Sequence, residues 1–136
     1  MDVTRGVATF NLVAQVVLMV ALLVGSLLAW RGRLRQHCWI MRAAIVAQLL
    51  LIGVIMAPQI GRYYKHWSGF SRFTTELVVH HTFGAIALLL AIYVNLAFVG
   101  VVFKRPRRFA WVMRATLLTW AVSLGLGIHL FWYLWR

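Results

Sequence analysis

Two adjacent imidazoles, His80 and His81, follow one helical turn after Glu76, which is the only carboxylate in the chain besides Asp2. They open an apolar run, residues 77–103, that is long enough to cross a membrane. An ionisable side chain at membrane depth is costly, and where one occurs it faces protein or water, so the pair is a candidate site for a metal ion, a cofactor or a proton. Imidazole ligation suits haem iron, copper or zinc. Glu76 is spaced to accept an N–H from the His80 ring and fix its tautomer, as carboxylates do for metal-bound histidines. Other chemistries lack their residues. Hydrolysis draws on paired carboxylates or an oriented nucleophile, and a di-iron site of the carboxylate type is excluded by count. There is no phosphate-binding glycine loop and no Cys-x-x-Cys.

His129 is the natural second ligand to test. His81 and His129 each lie a little over twenty residues from a basic turn, so at about 1.5 Å per residue they reach similar depth and could share a ligand if His129 turned inward. The inward face of the last helix, however, is the small polar stripe Thr116, Thr119, Ser123 and Gly127. From Gly127 to His129 the helix turns by about 200°, which sends His129 toward lipid, a partner or the interface. A dihaem arrangement wants four histidines in two layers, and the inner layer here has only His37, so one haem is compatible with the set and two are not expected. His37 lies in a basic turn and is expected to be solvated or to face headgroups. Cys38 excludes an internal disulfide and reads as a small packing residue.

The elements that must position these residues are membrane helices. The chain has 136 residues, 63% of them hydrophobic, with a mean hydropathy of +0.85, far more apolar than a soluble domain. Four apolar runs, residues 7–30, 38–60, 77–103 and 109–135, each exceed the roughly 20 residues a spanning helix needs. They predict an all-α, four-transmembrane-helix antiparallel bundle forming one integral membrane domain. The first run is too long and its flank too uncharged for a signal peptide, so it is read as a retained span. The net charge of +12 does not point to nucleic acid, because the cations gather at span ends. Nine of them surround the two short connections: Arg31, Arg33, Arg35 and Arg42 at the first, Lys104, Arg105, Arg107, Arg108 and Arg114 at the second. Five, Arg5, Arg62, Lys65, Arg72 and Arg136, lie on the other side with Asp2 and Glu76. The positive-inside rule then places both connections in the cytoplasm, both termini outside and the histidine pair near the outer face.

Along the first helix, Asn11, Gln15, Leu18, Leu22, Gly25 and Ala29 share a stripe that should face the bundle, with Asn11 and Gln15 hydrogen-bonded to a neighbouring helix. On the second, Gln48 and Gln59 are three turns apart and should share a face, Gln48 too deep to reach an interface. The outer connection, 61–75, mixes Tyr63, Tyr64, His66, Trp67, Phe70 and Phe73 with cations, the composition of a surface-lying segment that folds over the bundle mouth. Thr74 or Thr75 is suited to cap the third helix. There, His80, His81, Gly84, Ala87, Leu88, Ala91 and Asn95 form adjoining stripes of mostly small residues, a face that a partner helix or a flat ligand can approach closely. Trp39-Ile40-Met41-Arg42-Ala43 recurs as Trp111-Val112-Met113-Arg114-Ala115 at an offset of 72 residues. The same offset relates Gly53 to Gly125, so the chain reads as a duplicated helical hairpin with an axis along the membrane normal.

Asn11, the basic turn with His37 and Met41, the outer Phe/Arg segment, the histidine opening the third helix, and Arg114-x-Thr116-x-x-x-Trp120 with Gly127 together make the chain resemble the CtaM/YozB-like family of small four-span bacterial membrane proteins. One branch of that family is linked to assembly of haem-copper cytochrome oxidases. The resemblance covers nearly the whole chain, and it carries over His80 or His81 first, then Asn11 and His37. It departs at Gln59, where a histidine is expected, at Phe109, which replaces a second histidine-bearing turn, and at His129. It implies an accessory or assembly protein of a respiratory oxidase in the bacterial inner (cytoplasmic) membrane, handling haem or copper near the outer face, with membrane lipid and oxidase subunits as partners. The residues by themselves leave open a haem-carrying electron-transfer subunit, a small cytochrome b, and a structural subunit of a larger membrane complex.

Overall fold

The computed structural model describes residues 3–65, 71–99 and 109–136, with Val3, Thr4 and Arg62 to Lys65 given by backbone alone. Asp2, most of the aromatic and basic outer connection, the 100–103 end of the third apolar run and the Lys104–Arg108 turn lie outside the described residues. The described chain is helical apart from short joints: α1 (Val3–Trp30), α2 (Leu34–Leu51), a π-helical turn (Ile52–Met56), α3 (Ala57–Lys65), α4 (Arg72–Val99) and α5 (Phe109–Trp135). Four stretches, Arg5–Trp30, Leu34–Gly61, Arg72–Val99 and Phe109–Trp135, are long and apolar enough to cross a membrane. The chain is an integral membrane protein of four spanning helices. Helix is the form an open chain of this composition must take in lipid, because only helix satisfies every backbone group within the segment.

Local chemistry sets the joints. α1 ends in a Schellman turn: Gly32 sits at φ 75°, its N–H bonds to the Ala29 carbonyl at 3.0 Å, and the Arg33 N–H bonds to Leu28 at 2.9 Å. Glycine takes that left-handed backbone without a side-chain clash. α2 begins at once, so the connection is tighter than the Arg31–His37 segment read from the charges, and His37 is already helical. The second span is broken by the π turn, in which the Ala57 N–H reaches back to the Ile52 carbonyl. The cause is Pro58, which has no N–H to donate and whose ring would clash with the carbonyl four residues before it. α4 starts at Arg72, five residues ahead of the apolar run, because Ser71 and Thr74 cap it reciprocally. The Thr74 N–H donates to Ser71 Oγ at 3.2 Å, and the Ser71 N–H donates to Thr74 Oγ1 at 2.6 Å.

The helices pair as two hairpins, α1 with α2 and α4 with α5, and α1 also packs on α5 and α2 on α4, closing a four-membered ring. Arg5 lies over the Trp135 ring, 5.8 Å from its centroid, so both termini are at one end of the bundle and the Gly32 turn is at the other. Leu18, Leu22, Ala44, Ile45, Ala87 and Trp120 form the buried centre. The outward surface is apolar, with Trp30 91% exposed, as a surface in lipid contact requires.

Candidate functional site

At the termini end, α4 and α5 approach closely because small residues face one another. A Cβ on Gly84 would lie 3.2 Å from Ser123 Oγ, and a Cβ on Gly127 would lie 3.0 Å from His80 Cε1. His80 fills the space that Gly127 leaves and donates from Nδ1 to the Ser123 backbone carbonyl at 2.8 Å. Because a carbonyl only accepts, the proton of the neutral ring is on Nδ1, and Nε2 carries the free lone pair. His81 lies edge-on to His80, ring centroids 5.3 Å apart. Its Nδ1 is buried and makes no hydrogen bond of good geometry, as is also true of Asn11 Oδ1 on α1 and Trp135 Nε1 on α5.

Glu76 does not orient His80. Its Oε2 accepts from His129 Nδ1 at 3.1 Å, and its Oε1 accepts from Arg72 Nε at 3.3 Å. The carboxylate follows the two hydrogen-bond donors on its outward side of the α4–α5 seam, while His80 lies in the seam against the Ser123 carbonyl. His129 is held on the same outward side with its side chain 59% exposed, so it is not brought to His81. On the small-residue face of α4, the neighbour at Gly84 is Ser123 of α5, a close approach of partner helices of the kind that face allows. Among the described residues no three His, Cys, Asp or Glu side chains converge as a ligand set.

The remaining expected residues divide between the interior and the edges. Gln15 Nε2 donates to Gln48 Oε1 at 2.8 Å, a mid-span link between α1 and α2. Asn11 makes no such link, since its Oδ1 has no partner. Gln59 also lies toward α1, in a recess with Gly6, Val7 and Phe10, although the π turn between the two glutamines adds a residue to one turn. His37 is half-buried: its Nδ1 donates to the Gly25 carbonyl at 2.8 Å, and the ring lines a cavity at the turn end. Ser123 and Gly127 belonged to a recognisable small polar stripe, but the backbone carbonyl that holds His80 carries no signature in the sequence.

No family model, curated protein or solved structure matches this chain.

Proposed function

We propose that this chain is a non-catalytic accessory protein that handles a copper ion at the end of the bundle carrying its termini, with His80 as the leading ligand and His81 beside it. The observation that carries the reading is the hydrogen bond from His80 Nδ1 to the Ser123 carbonyl. It fixes the tautomer and ring orientation in the way that metal-ligating histidines are fixed, leaving Nε2 to bind. Two imidazoles are an incomplete set for copper, and an incomplete set suits a protein that passes its ion on, because the receiving protein can supply the missing ligands. The distribution of cations supports an outer-side position for this end, and the resemblance to the CtaM/YozB-like proteins suggests a bacterial inner membrane and, as receiver, a haem-copper oxidase during assembly.

Protein purified in mild detergent and loaded with Cu(II) is expected to give an electron paramagnetic resonance signal with nitrogen hyperfine structure, lost in His80→Ala/His81→Ala. If the double variant kept the signal and sustained full oxidase maturation, the reading would be abandoned. A low-spin haem spectrum in the purified protein would favour an electron-transfer subunit instead. The hydrogen bonds across the helix seams, His80 to Ser123, Gln15 to Gln48 and His37 to Gly25, also favour a second reading, a structural subunit in which polar groups only tie helices together. That reading predicts no copper signal at all.

A further inference from the structure

The other end of the bundle holds a cavity of about 80 Å3 between all four spanning helices. Its lining includes His37, Cys38 and Met41 from α2 and Met113 from α5. These are one imidazole, one thiol and two thioethers in a membrane protein, on a cavity whose remaining walls are largely apolar. Met41 and Met113 are equivalent positions of the repeated Trp-x-Met-Arg-Ala segment, 72 residues apart, so each hairpin contributes one thioether to a cavity between them. Leu22 and Val94, and Ile45 and Leu117, line it as further pairs at the same offset. The two cysteine-neighbouring donors are also set in place. His37 Nδ1 is tied to the Gly25 carbonyl at 2.8 Å, which leaves Nε2 as its free donor. The Met41 methyl group occupies the space over Gly25, 2.5 Å from where a Cβ would stand.

We propose that this cavity is a binding site for Cu(I), with Cys38, Met41 and Met113 as sulfur ligands and His37 as the nitrogen ligand. Soft thiolate and thioether donors select Cu(I) over the divalent ions that imidazole and carboxylate prefer. The volume admits an ion and excludes a macrocycle. Binding is a ligand exchange without redox change: the Cys38 thiol releases its proton to solvent, and the thiolate and Cu(I) form a Cu–S bond of zero net charge. Neutrality matters at this depth, where an uncompensated charge is expensive, and it accommodates Arg42, which also lines the cavity. The site differs in donors and in position from the imidazole pair at the opposite end and stands independently of it.

The test is an anaerobic competition between the full chain in detergent and a chromophoric Cu(I) chelator such as bicinchoninate. One Cu(I) per chain is expected to resist the chelator. Cys38→Ser, and separately Met41→Leu/Met113→Leu, are each expected to weaken retention by at least about tenfold, the loss typical even for outer-shell changes at metal sites. His80→Ala/His81→Ala is expected to retain Cu(I) as the unmodified chain does, which separates this site from the proposed copper-handling pair. The proposal is overturned if the unmodified chain yields all its Cu(I) to the chelator, or if both sulfur variants hold it undiminished. Met-to-Leu replacement conserves volume and packing, so the methionine pair decides the matter should Cys38→Ser fail to fold.

Discussion

Gly127 is where the site at the termini end is most exposed to a small change. A methyl group there would stand 3.0 Å from His80 Cε1, and the ring cannot retreat without leaving the Ser123 carbonyl. Gly127→Ala is therefore expected to break that hydrogen bond at a cost of about 1–2 kcal/mol and to abolish the nitrogen-coupled copper signal. Gly125→Ala is the matched control, because nothing lies within 4 Å of the added carbon. Thermal unfolding in detergent together with the copper signal checks both, and equal behaviour of the two variants would remove His80 packing from the account. At this scale the sequence disclosed which residues were chemically unusual but not whom they would meet. His80 was conspicuous as an imidazole in an apolar helix. Its partner is a backbone carbonyl on another helix, and the spacing to Glu76 pointed elsewhere because one-turn proximity ignores competing donors such as Arg72 and His129.

The second span shows how a single residue alters an element. Pro58 converts one turn of α-helix to a π turn, and the helix resumes rotated by about one residue's arc, yet Gln48 meets Gln15 and Gln59 lies beside Phe10, both on α1. Pro58→Ala restores the missing N–H and removes the ring, and the span is expected to revert to regular α-helix with Gln59 turned by about 100°. Single-cysteine scanning through 57–61 with a water-soluble maleimide reads the change as a shift of the labelling pattern along the helix. An unaltered pattern would show that the π turn is held by packing rather than by proline. The start of α4 carries the same lesson in milder form: the capping pair Ser71 and Thr74 begins the helix within a polar stretch that a hydropathy reading leaves to the loop.

For the molecule as a whole, hydropathy and charge made the four spans, their all-helical class and their antiparallel order legible, because lipid permits so few alternatives. The interior arrangement was less so. The 72-residue repeat points to two equivalent hairpins, yet their contents have diverged. Gln15 and Gln48 link the first hairpin at mid-span, whereas the corresponding positions of the second are Ala87 and Trp120, both buried in the apolar centre. The two ends of the bundle differ as well, with the imidazoles of His80 and His81 toward the termini and one imidazole, a thiol and two thioethers lining the cavity at the turn end. Which end faces which compartment then governs what the protein can exchange with each side. Nine of the fourteen cations surround the two connections at the turn end, and translocating such clusters opposes the positive-inside bias. Alkaline phosphatase fused after Arg136 is accordingly expected to be active and green fluorescent protein at that position dark. Phosphatase inserted at Gly32 should be inactive. The reverse pattern would place the imidazole pair on the cytoplasmic side, and the proposed transfer to an outer-side receiver would fall.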